Sequence, residues 1–267
     1  KIIGHNIITY MKILVSNDDG IWAEGIRALA NALAKDHEVY VCAPDRERSA
    51  TGHSMSLHKP LMVSLAKTSD LIGNAKAAHM TSGTPADCSK VALGALFKDI
   101  KFDLMVSGIN HGPNLGIDVL YSGTVSAAME AMLLGVPAIA TSLYSYSSKD
   151  FDPAAEWIRE FIKNNDLPKL IPNRSFLNIN IPPGPSDKYR GVEITKLGNR
   201  AYEENYEERQ DPRGNKYFWL AGAPIEGLEV DGTDGYALLN HKISITPVRF
   251  DMTYYDQLDE LGSNLKF

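Results

Sequence analysis

Three short stretches hold residue types that can do chemistry together. Asn17-Asp18-Asp19-Gly20 sets two carboxylates side by side. Adjacent carboxylates repel, and a divalent cation would turn that cost into affinity. Read alone, the tetrapeptide is better explained as a turn, since Asn, Asp and Gly are all turn formers. The stretch APDRERSATGHS (43–54) carries Arg46 and Arg48, which could hold a phosphate, and Ser49, which offers a neutral oxygen. Alone it reads as a solvated charged loop, with His53 and nearby His58 as ordinary surface or core residues. The third stretch, Ser107-Gly108-Ile109-Asn110-His111-Gly112-Pro113-Asn114-Leu115-Gly116, leads to Tyr121-Ser122-Gly123-Thr124. Its glycines let the backbone approach a ligand, and their N–H groups can face an anion; a long ordinary loop is the competing reading. The three gain weight together. Asp18, Asp19, Ser49 and Asn110 form an all-oxygen donor set, which suits Mg²⁺ or Mn²⁺ and not zinc. Four such ligands on an octahedral ion leave room for a phosphate oxygen and a water, and the chemistry indicated is metal-assisted attack on a phosphate ester.

The elements that must position these stretches follow from hydrophobic pattern. Residues 12–16 (KILVS) are a short aliphatic run bounded by turn residues, a buried strand. Ile26, Leu29, Ala30 and Leu33 recur at helical spacing. EVYVCAP (38–44) is a second strand, so the three make a βαβ unit with parallel strands. The alternation continues through a helix start at Thr84-Pro85-Ala86-Asp87 and a strand at 103–108. A helix then opens at Ser122-Gly123-Thr124 and closes at Gly135, followed by a strand at 137–142, a helix from Asp152-Pro153 and a strand at 176–182. Ligands bind at the carboxyl ends of strands in such sheets, where all three stretches fall. The N-terminus of the helix at Ser122 adds free N–H donors and positive partial charge there. Beyond residue 185 strand-like pieces persist without regular helices between them, and residues 203–215 are strongly polar. The expected architecture is α/β: a Rossmann-like, three-layer, mostly parallel sheet over residues 11–185. An extended, β-rich C-terminal arm follows over 186–267. Residues 1–10 lack the marks of a secretory signal and read as an upstream extension or expression remnant, with Met11 as the natural start.

Composition sets outer limits. The 267 residues carry 27 Lys and Arg against 33 Asp and Glu, a net charge of −6, which argues against binding a nucleic-acid polymer along its backbone. Two cysteines are too few for a disulfide framework and point to a reducing, cytoplasmic setting. No apolar run is long enough to span a membrane.

The motifs ILVSNDDG, APDRERSATGHS, GTPADC, SGINHGPNLG, YSGTVSAAMEA and the late ISITP closely resemble, in order and spacing, the SurE (survival protein E) family of metal-dependent 5′/3′-nucleotidases. The likeness runs from about Met11 to Pro247. It implies hydrolysis of nucleoside monophosphates, with looser activity on other phosphomonoesters and short polyphosphates, and one Mg²⁺ or Mn²⁺ per subunit. The family's metal ligands fall on Asp18, Asp19, Ser49 and Asn110, the four oxygens already gathered from the residues. Asp18, Asp19 and Asn110 are then the catalytic set. Ser107, Gly108, Ser122, Gly123 and Thr124 lie where the family binds phosphate, and Asn17 and Asn114 are further candidate contacts. The resemblance also implies a homodimer or homotetramer joined by exchanged C-terminal segments, here residues 199–240 and the terminal YYDQLDELG. Gly235 and Asn240 depart from the family pattern, which bears on the arm and not on the metal site.

Other classes fit less well. A non-catalytic Rossmann module would carry GxGxxG where NDDG stands. A metal-dependent glycosyltransferase could also use a carboxylate pair. An aspartyl-phosphate phosphatase would alternate its acids, whereas here they are adjacent. With both aspartates committed to the ion, a metal-activated water is the expected nucleophile; His111 is a candidate acid for the leaving oxygen, or a surface residue.

Overall fold

The computed structural model describes residues 10–67, 75–225 and 227–265. Of the leading segment only Tyr10 is among them, so the expectation for residues 1–10 otherwise lies outside the described residues.

Strand β1 (Lys12–Ser16) is buried from its second residue onward, as the aliphatic run requires. Helix α1 (Glu24–Leu33) buries Ile26, Leu29, Ala30 and Leu33, the stripe read from spacing. Burying each large aliphatic side chain contributes roughly 1.5–3 kcal/mol before the entropy of ordering it is subtracted. Strand β2 (Glu38–Pro44) lies parallel to β1. The chain continues through β3 (Val63–Leu65), β4 (Ala77–Thr81) and α2 (Pro85–Val91), then β5 (Leu104–His111), α3 (Gly123–Leu133) and β6 (Ala138–Leu143). Next come α4 (Asp152–Asn164), α5 (Leu167–Leu170), β7 (Phe176–Ile181), β8 (Val192–Ile194), β9 (Tyr206–Gln210) and β10 (Lys216–Leu220). Helix α6 (Asp234–Leu239), β11 (Ile243–Val248) and α7 (Leu258–Asn264) complete it.

One nine-stranded sheet runs in the order β3-β4-β2-β1-β5-β6-β7-β11-β8. Strands β4, β2, β1, β5, β6 and β7 are mutually parallel, and β3 and β11 are antiparallel to their neighbours β4 and β7. The order reverses between β1 and β5, the switch point where open sheets of this kind form ligand crevices. Helices α1 and α4 pack on one face around Ile26, Leu29, Ile158 and Ile162. Helices α2 and α3 pack on the other around Cys88, Val125, Ala128 and Ala131. This is the mostly parallel, three-layer α/β fold expected.

Three features depart from the sequence reading. Strand β5 continues to His111 instead of ending at Gly108, because SGINH stays extended and pairs with β6 across an irregularity between Ser107 and Asn110. Strands β3 and β4 had no clear pattern: β3 is an exposed edge and AAHMT of β4 is mixed in burial. The segment after residue 185 divides. Its β8 and β11 join the main sheet, while the β9–β10 hairpin forms a separate two-stranded sheet with every residue exposed.

Candidate active site

The turn after β1 is built around its two acids. Asn17, fully buried, donates its side-chain amide to the Gly20 carbonyl at 2.8 Å, closing the loop over Asp18 and Asp19. Gly20 has φ +93°, and a Cβ there would stand 2.9 Å from the Arg46 backbone carbon. Only glycine supplies that dihedral at no steric cost and lets the loop after β2 approach so closely. That loop is fastened by the Ile21 N–H donating to the Pro44 carbonyl at 2.9 Å and the Arg48 N–H donating to the Asp18 carbonyl at 2.7 Å.

Asp18 is buried and accepts a short hydrogen bond from the Thr124 hydroxyl. Helix α3 starts against it: a Cβ on Gly123 would lie 2.6 Å from the Asp18 Cβ. The Ser122 hydroxyl accepts from the Val125 N–H at 3.1 Å and so caps this helix. Asp19 is half-buried and accepts from the His111 N–H at 3.2 Å. The Asn110 side chain donates its amide to the Gly112 carbonyl at 2.7 Å, which leaves its carbonyl oxygen as the available donor atom. Asp18, Gly123 and Thr124 thus meet at the β1–β5 switch point, and Asp19 is joined to the end of β5 at His111, the residue after Asn110.

Ser49 stands at its edge. Its loop is tied to Asp18 through Arg48, but the exposed Ser49 hydroxyl donates to Glu47 at 2.8 Å. Ser107 and Gly108 lie within β5, Ser107 opposite Ser16 at the end of β1. Gly108 has φ +136°, and a Cβ there would fall 2.3 Å from the Thr141 carbonyl oxygen. Asn114 is held from several sides. Its N–H donates to Asn180 at 2.9 Å, its side-chain amide donates to Ser142 at 2.8 Å, and its carbonyl accepts from Asn178 and Asn180.

The electrostatics of the pair are unfavourable without a counter-ion. Burial and then the neighbouring Asp19 charge push the Asp18 carboxyl up to about 7, against the pull of the Thr124 hydroxyl. Burial pushes Asp19 up to about 6, opposed by the His111 N–H and assisted by the Glu47 charge. Among the described residues no group of three or more His, Cys, Asp and Glu side chains gathers as a metal cluster. A cation here would take two carboxylates completed by neutral oxygens. The residues fit such an ion: the donors are hard oxygens, and the Asn17 Oδ1, next in sequence to Asp18, and the Ser107 Oγ of β5 are buried with no hydrogen-bond partner among the described residues.

Sequence reasoning missed the asparagines of β7, which bolt the Asn114 loop to the sheet. FLNINI does show them as polar residues at alternate positions of an otherwise apolar strand. It also missed Glu130, buried on α3, which accepts from Lys90 at 2.7 Å and pairs with His53 at 2.8 Å. His53 is therefore a tether for the Ser49 loop. His111 is half-buried with its ring edge against Phe151.

The profile described as "Survival protein SurE" matches residues 13–204. The chain is 46% identical over 258 residues to a protein named 5′-nucleotidase SurE from Synechococcus elongatus, covering 94% of this chain and 98% of that one. It is 48% identical over 262 residues to the protein of the same name from Pelotomaculum thermopropionicum, covering 96% of each. It superposes on the crystal structure of the SurE protein from Aquifex aeolicus with a TM-score of 0.81 at 37% identity, over 94% of this chain and 98% of that one. A doubly wound sheet with an acidic centre at its switch point and relatives of this kind define a hydrolase on an α/β frame. The chain belongs to the SurE family.

Proposed function

We propose that the protein hydrolyses nucleoside 5′- and 3′-monophosphates to nucleoside and phosphate, using one divalent cation, Mg²⁺ or Mn²⁺, per subunit. The observation that carries this reading is the pair of adjacent, repelling carboxylates, Asp18 buried against the start of α3 and Asp19 half-buried beside the end of β5. The names of the relatives support the substrate class. Asp18, Asp19, Asn110 and Ser49 would hold the cation, Ser49 by turning its hydroxyl away from Glu47. When bound, such an ion screens the carboxylates from an anionic phosphate, acidifies water and stabilises charge on a transferring phosphoryl group.

The chain's own groups do the rest. Thr124 fixes the orientation of Asp18, and the His111 N–H fixes Asp19. The first turn of α3 directs N–H groups and positive partial charge to where the phosphoryl oxygens would sit. Gly123 lets that turn come within contact of Asp18. With both carboxylates committed to the cation, water would serve as the nucleophile, and the free oxygen of one carboxylate would orient it. Other phosphomonoesters and short polyphosphates would be poorer substrates. The reading includes a cytoplasmic enzyme, consistent with Cys42 and Cys88 both being unbridged. No helix among the described residues is long and apolar enough to cross a membrane. It also includes a homodimer or homotetramer joined through residues 199–240 and the terminal helix.

The test is turnover of a nucleoside monophosphate before and after full chelation with EDTA. Activity is expected to vanish and to return with Mn²⁺ or Mg²⁺. Asp19→Asn is expected to lose at least about a hundredfold in kcat while remaining folded, on the scale of removing a group that stabilises transition-state charge. Turnover that survives chelation would overturn the metal reading.

A further inference from the structure

The phosphoryl site accounts for one end of a substrate; the other end has to leave it somewhere. A cleft of about 320 Å³ opens directly from Asp19, walled at the back by His111 and Phe151 and rimmed by Glu24 and Glu47. Trp22 forms its outer wall and is 54% exposed. We propose that this cleft is the nucleoside subsite and that Trp22 is the platform on which the base stacks. The proposal rests on the phosphatase reading above and adds to it which part of the substrate is recognised and by what.

Trp22 is exposed yet held. It lies in the turn between NDDG and α1. The preceding Ile21 is fully buried and hydrogen-bonded to Pro44, and the following Ala23 N–H donates to the Gly20 carbonyl at 3.1 Å. A backbone hydrogen-bonded on both sides thus holds a half-exposed indole at the cleft, four residues from the first metal-ligand candidate. Phe151 is only 5% exposed and takes the His111 ring edge-on at 6.0 Å, which gives the cleft a fixed apolar back wall. The volume is at the small end of ligand pockets and suits one nucleoside, not an oligonucleotide. Charge points the same way. Apart from Asp19, which the cation would engage, the described lining carries two carboxylates, Glu24 and Glu47, against one lysine, Lys149. Such a rim repels a further phosphate and offers acceptors to ribose hydroxyls. A neutral nucleoside fits it; a polyphosphate tail does not.

Two measurements test this. Adenosine and uridine are titrated into the metal-free protein while tryptophan fluorescence is followed. Saturable quenching is expected in the wild type and is lost in Trp22→Phe, whose remaining tryptophans, Trp157 and Trp219, serve as the background. Quenching that persists in Trp22→Phe, or its absence in the wild type, overturns the proposal. With metal, the ratio of kcat/KM for AMP to that for glycerol phosphate is compared. Trp22→Ala is expected to lower the ratio about tenfold or more, the value of one base–aromatic stack, and Trp22→Tyr to restore most of it. An unchanged ratio in Trp22→Ala overturns the subsite. If neither ester is hydrolysed by the loaded wild type, the phosphatase reading fails, and the nucleoside titration still decides the cleft on its own.

Discussion

Asp18 shows what a single residue can cost and supply. Its carboxyl is buried and crowded by Asp19, and burial outweighs the pull of the Thr124 hydroxyl and of the Asp18 and Thr124 backbone N–H groups. Without a cation the charge is a liability to the fold. Asp18→Asn is therefore expected to raise the melting temperature of the metal-free protein by several degrees, at about 2–4 °C per kcal/mol for a chain of this size. Mn²⁺ is expected to raise the melting temperature of the wild type, and the same change should abolish that rise. Differential scanning calorimetry with and without Mn²⁺ reads both effects. A metal-free Asp18→Asn that melts lower than wild type would mean that the carboxylate is structurally satisfied by the chain alone.

At the scale of elements, the start of α3 is where function outweighs helix propensity. Gly→Ala inside a helix ordinarily stabilises by about 0.5–1 kcal/mol. At Gly123 the added Cβ would press on Asp18 and on Pro85 at 2.6 and 2.9 Å. Gly123→Ala is expected to cut kcat at least about tenfold, since a displacement near 1 Å at a reacting site costs that much or more. Gly94→Ala, with nothing within 4 Å of its Cβ, is the control and should leave turnover alone. The same helix carries Glu130, which holds the Ser49 loop through His53 and α2 through Lys90. Glu130→Ala should lower stability by about 1–3 kcal/mol in urea unfolding, the usual penalty for breaking a buried charge-assisted pair.

At the scale of the whole molecule, the nine-stranded sheet brings loops from distant parts of the chain to one crevice, and the β9–β10 hairpin stands apart from it. Tyr206, Phe218, Trp219 and Leu220 of that hairpin are each more than half exposed. So many large exposed apolar groups on one ribbon are what the proposed assembly through this arm would cover. Light scattering is expected to give at least twice the chain mass, and Phe218→Ser with Trp219→Ser to shift the protein toward monomer with its circular dichroism intact. A monomeric wild type would remove the arm from any role in assembly.

Much of this protein was determined by local chemistry that can be read in order along the chain. NDDG after an aliphatic run, the glycines of SGINHG and the Ser122 cap are local features. Strand burial, turn dihedrals and helix capping depend on neighbours a few residues away, so those elements, and the loops that carry the candidate donors, were legible. What needed the tertiary structure was everything set by residues far apart in sequence. Thr124 reaches Asp18 across 106 positions, and Asn178 and Asn180 bolt the Asn114 loop across more than 60. Glu130 turns His53 into a tether, and β11 crosses from the supposed arm into the sheet. The Trp22 cleft has walls from the turn after β1, the end of β5 and the residue before α4. No local propensity encodes such meetings; they exist because burying both faces of one twisted sheet leaves the chain a single way to bring its loops together.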